Sequence, residues 1–189
     1  TRDLDSALAL IDEAIELQPD EAAAYRSYAY ALYLNGEYES CSEFAVRTLK
    51  DVDDNDLRLI AASATYRTGD YSAAADLYAR AIKYGEDISA DDLRNYAICL
   101  VELKDYETAE GVLETLEKRG DDSAAEYYVR GAILNAKGEY DESIASYTEA
   151  LEISDSPEMS RYIYSALIDV YRTMGDNDGL IDLHILMKV

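Results

Sequence analysis

Gly36-Glu37-Tyr38 returns as Gly69-Asp70-Tyr71, Lys104-Asp105-Tyr106 and Gly138-Glu139-Tyr140. A weaker form, Gly175-Asp176-Asn177, follows them, and Arg2-Asp3-Leu4 precedes them. The third residues of successive copies lie 34, 33, 35, 34 and 37 positions apart. A fixed period of about 34 residues is the signature of a helix–turn–helix repeat array. Such an array offers a surface before it offers a catalytic pocket.

The residues around each signal read as two helices. Tyr25, Tyr28, Ala29 and Leu32 fall at i, i+3, i+4 and i+7, one apolar face of a helix A. Asn35-Gly36 stops that helix. After Tyr38, the set Cys41, Phe44, Ala45 and Thr48-Leu49 makes an amphipathic helix B, closed by the acidic link Asp51–Asp56. The spacing predicts A helices over 21–34, 55–67, 89–103, 123–137 and 157–174, each followed by a B helix. Residues 3–17 supply a lone B helix, ended by Gln18-Pro19-Asp20. The organisation expected is a half repeat at 1–20 and repeats at about 21–53, 54–88, 89–122, 123–156 and 157–189.

These residues resemble the tetratricopeptide repeat family over essentially the whole chain. The first small site of that family, on helix A, reads Ala29, Ala62, Ala97 and Gly131. The second, on helix B, reads Ala7, Cys41, Ala74, Ala109 and Ser143, and the third Ala14, Thr48, Ala81, Leu116 and Ala150. Small side chains at these sites let paired backbones approach. The resemblance implies an all-α, right-handed superhelical solenoid of antiparallel helix pairs. The last repeat departs from the pattern with Ile168, Leu180 and Met187. A looser pair or an altered terminal unit is expected there. The apolar stretch Leu180–Val189, with Leu183, Leu186 and Met187, is expected to offer a surface for self-association through the terminal helices.

Composition narrows the partners. Forty acidic residues against 17 basic ones give a formal charge of −23. Nucleic acids and anionic membrane surfaces both require a basic footprint, so neither is expected as a partner. No apolar run approaches the roughly 20 residues that span a bilayer, so membrane insertion of this segment is not expected. The chain opens on Thr1 rather than Met, and a longer product is expected. Cys41 and Cys99 fall inside helical patterns and read as small core residues. Free cysteines favour the cytoplasm, and a tethered extracytoplasmic position stays open if a signal precedes the segment.

No enzyme constellation is present in the pattern. His184, the single histidine, occupies the helix B position held elsewhere by Ile11, Tyr78 and Tyr147, and is expected to pack or be partly exposed. One histidine and two distant cysteines do not make a zinc site. Asp51, Asp53 and Asn55 open like a calcium loop, but Asp56 stands where glycine is required and Ala62 where glutamate is expected. Asp176-Asn177-Asp178-Gly179 fails at Met174 and Ile185. No cofactor or metal is expected.

The resemblance implies that a partner lies in a concave groove lined by helix A. Fifteen A-helix positions of that face hold Arg26, Arg94 and Arg172, Tyr30, Tyr33, Tyr66 and Tyr128, Asn135, and a single acid, Asp169. Arginine and tyrosine are enriched at binding hot spots. The function expected is a non-catalytic protein–protein interaction scaffold holding a protein or peptide segment on Arg26, Tyr30, Tyr33, Tyr66, Arg94, Tyr128, Asn135 and Arg172. The arginines would favour a segment bearing a carboxylate. Alternatives are an oligomerisation or spacer segment, and a regulatory peptide sensor. The asparagine that lets some family members clamp a C-terminal carboxylate reads Tyr30, Ser63, Ile98, Ala132 and Asp169 here, so chaperone-tail binding is not expected.

Overall fold

The repeat signal combines a helix stop, a cap and a helix start in three residues. In the computed structural model its first residue takes the left-handed conformation: φ is 81° at Gly36, 85° at Gly69, 81° at Gly138 and 72° at Gly175. Its second residue sends its backbone N–H back five residues, Glu37 to the Leu32 carbonyl and Glu139 to the Leu134 carbonyl, both at 3.0 Å. This closure satisfies carbonyls that a helix end leaves open. Where the second residue is aspartate, its carboxylate also caps the next helix. Asp70 accepts from the Ala73 N–H at 3.0 Å, Asp105 from Thr108 at 3.2 Å and Asp176 from Gly179 at 3.0 Å. Glu37 and Glu139, one methylene longer, make no such cap. The tyrosine is the first residue of helix B.

The structure describes residues 2–18, 21–84, 88–120 and 123–186. Among them are eleven helices and no strand. They are α1 (Arg2–Leu17), α2 (Ala22–Leu34), α3 (Tyr38–Thr48), α4 (Asn55–Thr68), α5 (Tyr71–Tyr84), α6 (Ala90–Glu102), α7 (Tyr106–Glu117), α8 (Ala124–Lys137), α9 (Tyr140–Ile153), α10 (Pro157–Met174) and α11 (Asn177–Leu186). The predicted A helices are α2, α4, α6, α8 and α10, with bounds within a residue or so of expectation. Asp54, Ser123 and Ser156 cap α4, α8 and α10, each accepting from an N–H three residues on. The expected stop at Pro19 lies outside the described residues.

The chain forms two compact units, Thr1–Cys99 and Leu100–Val189. In the first, α2 packs on α3, α4 on α5, and the A helices α2 and α4 touch directly. Ala29, Leu32, Cys41, Ala45, Leu57, Ala61 and Ala64 form its buried cluster, with Tyr28 and Phe44 stacked at 4.3 Å on its flank. In the second, α8 packs on α9, α10 on α11, and the A helices α8 and α10 touch.

The small sites are where paired helices meet. Ala29, Ala62, Ala97, Cys41, Ala74, Ala109 and Ser143 are fully enclosed. The approach is close enough for a short polar side chain to reach the facing backbone. The Cys41 thiol donates to the Ala29 carbonyl at 3.1 Å, and the Ser143 hydroxyl to the Gly131 carbonyl at 2.8 Å. Burial pushes the Cys41 thiol up to about 11, so it stays protonated at neutral pH.

Expectations change at Ala7, Ala14 and Leu183. Ala7 and Ala14 are exposed, not close-packed. A small site is covered by the A helix of its own repeat, whereas α1 packs on α2 of the next repeat through Leu8, with Ile11 and Ile15 half-buried on the same stripe. In the last repeat Ile168 and Leu180 are half-buried. Leu183 faces inward at 5% exposure, and it is Ile181 and Ile185 that face solvent. The Leu186 side chain and Met187 lie outside the described residues. His184 is exposed, and its Nδ1 donates to the Leu180 carbonyl at 2.6 Å.

Lys104 stands where the other signals have glycine, at φ 61°. A side chain in this region costs about 1–2 kcal/mol. Lys104→Gly is therefore expected to stabilise the protein by about 1 kcal/mol, read as a higher denaturation midpoint with unchanged slope. Gly131 lies under the Tyr147 ring, and a Cβ there would sit 2.7 Å from two ring carbons. Gly131→Ala should cost about 1–3 kcal/mol by overpacking. An unchanged melting temperature would show that the ring can move aside.

Candidate tyrosine-walled binding pockets

Each unit carries a pocket on its A-helix face. In the first unit a cavity of about 420 Å³ is lined by Tyr30 and Tyr33 of α2, Leu59, Ile60 and Ser63 of α4, and Ser89, Asp91, Asp92 and Asn95 at the start of α6. Tyr30 is 51% exposed, a flat apolar surface presented to solvent. Asp92 is held in place: it accepts from Ser63 Oγ at 3.1 Å and from Ser89 Oγ, the cap of its own helix. Ser63 also hydrogen-bonds the buried Tyr78 hydroxyl at 3.0 Å. Asp92 thus sits at the end of a chain of hydroxyls reaching into the core.

In the second unit a cavity of about 320 Å³ is lined by Val101, Glu102, Tyr106, Tyr128, Ala132, Asn135, Tyr147, Tyr162, Ser165, Ala166 and Asp169. Tyr128 is its centre. Its ring lies 5.8 Å from that of Tyr147 and 6.5 Å, edge-on, from that of Tyr162. Its hydroxyl donates to Glu102 Oε1 at 3.2 Å. Burial raises the Tyr128 pKa, and the nearby Glu102 carboxylate raises it further. Burial raises Tyr147 in the same way, with Asp169 and Glu102 adding to the effect.

The sequence-derived positions divide between these settings. Tyr30 and Tyr33 line the first pocket, Tyr128 and Asn135 the second. Tyr128 is largely buried, so it is a floor more than a contact surface. Tyr66 lines neither pocket and packs at 6.0 Å on Tyr71, the first residue of α5.

The arginines behave differently from expectation. Arg26 bridges to Asp54 at 2.7 Å and to Asp56 at 3.4 Å, tying α2 to the start of α4. Arg94 pairs with Asp91 at 2.8 Å, and Arg172 lies 3.8 Å from Asp169. Each expected positive centre therefore faces a carboxylate. The pockets themselves are lined by Asp91 and Asp92 in one unit and Glu102 and Asp169 in the other, with no Lys or Arg among those lining residues. In the first unit the physical reason is helix polarity; in the second, Glu102 is the last residue of α6, and Asp169, already among the fifteen positions, lies within α10. Acids favour the first turn of a helix, and Asp54, Asp56, Asp91 and Asp92 all cluster at A-helix starts, where the next repeat brings them onto the face. Counting only mid-helix positions missed them, and missed Ser89, Tyr106, Tyr147 and Tyr162. The first-turn acids were the signal that could have found Asp91 and Asp92.

The acidic turn at 51–56 is also closed. Arg58 donates to Asp53 at 2.6 Å and to Asn55 Oδ1 at 3.0 Å. Among the described residues no group of three or more His, Cys, Asp or Glu is arranged to hold a metal, and no helix is long and apolar enough to cross a membrane.

A repeat of helix pairs with close-packed small residues defines a class of interaction proteins. Models of the tetratricopeptide repeat match residues 66–131 and 1–40, together more than half of the chain. The chain belongs to the tetratricopeptide repeat family, and its family and fold are those of a protein–protein interaction scaffold. Solved structures share the fold. YrrB, described as a tetratricopeptide protein with an unusual peptide-binding site, is 20% identical, with a TM-score of 0.65 over 92% of this chain and 88% of its own. A tetratricopeptide repeat protein from Parabacteroides merdae is 18% identical, with a TM-score of 0.72 over 98% of this chain and 73% of its own. MamA from Desulfovibrio magneticus is 17% identical, with a TM-score of 0.63 over 89% and 96%. No curated protein matches in sequence.

Tyr78, Tyr128 and Tyr147 are all raised above their usual 10.0, chiefly by burial. The unfolded chain releases these protons near pH 10 while the folded chain keeps them. Their contribution to stability is therefore complete below pH 10 and falls as pH rises beyond it. An ultraviolet titration of tyrosine should show exposed rings ionising first, and a buried set ionising together with loss of helical circular dichroism. A single phase with the helices intact would contradict this burial.

Proposed function

We propose that this chain is a non-catalytic scaffold that binds a segment of a partner protein along its A-helix face. The observation that supports this most directly is the pocket that each unit carries there, open to solvent and walled by tyrosine. Tyrosine supplies a large, stiff contact area at low entropy cost. Tyr30 and Tyr33 provide it in the first unit, and in the second Tyr128 forms the floor of the pocket that Asn135 also lines. Arg26 and Arg94 border this face as paired groups that hold the acids around it, and Arg172 stands in a loose, exposed pair with Asp169. Tyr66 contributes by packing. The charge of −23 favours a protein over nucleic acid or an anionic membrane. The similarity to YrrB, a peptide-binding protein of the same fold, agrees with this reading.

The test is selection of peptides on the protein from a displayed random library. A Tyr30→Ala, Tyr33→Ala double variant should bind peptides selected on the first unit at least about tenfold more weakly, the loss typical of a hot spot. Arg80→Ala, on the exposed face of helix B α5, should bind them unchanged. Equal binding by all three proteins would rule out the first unit's pocket as the site.

A further inference from the structure

We propose that the pocket of the second unit recognises a basic segment of a partner protein, taking a lysine or arginine side chain against its tyrosine rings and between the carboxylates of Glu102 and Asp169. This rests on the A-helix face being the binding surface and names the chemistry it selects.

Three observations converge. First, the pocket is lined by two carboxylates and four tyrosines, with no cation among its lining residues. A cation over a tyrosine face is attracted by the ring quadrupole, more strongly where water is displaced. Second, the carboxylates are available in different ways. Glu102 is oriented by the Tyr128 hydroxyl at 3.2 Å. Asp169 faces Arg172 at 3.8 Å, and both side chains are 68% exposed. An exposed pair at that separation contributes little, so an incoming cation can displace it. Third, the same molecule already holds one guanidinium group in this manner. Arg130 lies 4.9 Å from the Tyr127 ring centre while donating to Glu117 at 2.8 Å. In the first unit Arg67 lies 5.0 Å from the Tyr38 ring centre. The pocket presents the tyrosine and carboxylate halves of this arrangement, with no Lys or Arg among its own lining residues.

The wider field points the same way. A body charged at −23 raises the local concentration of basic segments and speeds their encounter. Burial raises the pKa of Tyr128 and Tyr147, and Glu102 adds to the shift in both. The pocket of the first unit repeats the chemistry, with Asp92 anchored by two serines beside Tyr30 and Tyr33. An acidic segment, which the arginines alone suggested, would meet carboxylates in both pockets.

The experiment titrates the whole chain with fluorescently labelled peptides of one glycine–serine–leucine framework, carrying lysine, arginine, glutamate or glutamine at the same places, and follows anisotropy. The lysine and arginine peptides should bind, with affinity falling as salt rises. Glu102→Gln with Asp169→Asn should weaken them about tenfold, and Tyr162→Ala should do so independently. Glu107→Gln with Glu152→Gln removes the same charge from exposed positions outside the pocket and should leave binding within about twofold. Equal losses in the two double variants would reduce the effect to net charge and overturn the proposal. Tighter binding of the glutamate peptide, lost in Tyr162→Ala, would overturn it while leaving the A-helix face as the site. If no peptide responds to any pocket variant, both the basic-segment proposal and the reading it rests on fail.

Discussion

The close contact between the two helices of a pair is the constraint on which the rest of this structure depends. Where Ala29 faces Cys41 and Gly131 faces Ser143, the backbones are near enough for a thiol or hydroxyl to reach the opposite carbonyl. Only small residues allow that distance. Gly131 shows how little room remains, since a single added carbon would meet the Tyr147 ring. Close pairing leaves the large side chains to fill the spaces between pairs. Tyrosines do much of that work: Tyr78 meets Tyr96, and Tyr128 meets Tyr162, across successive pairs. The pocket walls are built from the same tyrosines that fill those spaces, which is why Tyr128 and Tyr147 belong to core and site together.

The electrostatics follow from the same helix grammar. In the first unit the start of α6 borders the pocket, and helix starts attract acids. Asp54 is both the cap of α4 and the partner of Arg26. Asp92 is both a first-turn acid of α6 and a pocket wall. The arginines that look like anion receptors along the sequence therefore serve as internal counter-ions. The pockets that result are lined by tyrosines and carboxylates, with no Lys or Arg among those lining residues.

Much of the fold was legible without coordinates because its determinants are local. The glycine-acid-tyrosine signal contains a left-handed stop, a cap and a first helical residue, so helix boundaries could be placed from sequence. Where the local rule depends on length, the detail was not legible: aspartate caps and glutamate does not, although both carry the same charge. Ala7 and Ala14 show a second limit. They match the small-residue pattern, yet what covers such a residue is another helix, and α1 packs on its neighbour through a different stripe.

By itself, then, the sequence determined the period, the helix pairs and the small contact sites, because each is encoded within a few residues by backbone sterics, capping and hydrophobic spacing. It also determined the strongly acidic balance. Only the tertiary structure decided which charges meet. Arg26 and Asp54 are 28 residues apart, and Tyr128 and Glu102 are 26 apart, and stacking of successive repeats brings each pair together. The sign of a pocket depends on such meetings, since an arginine beside a carboxylate no longer acts as a positive centre.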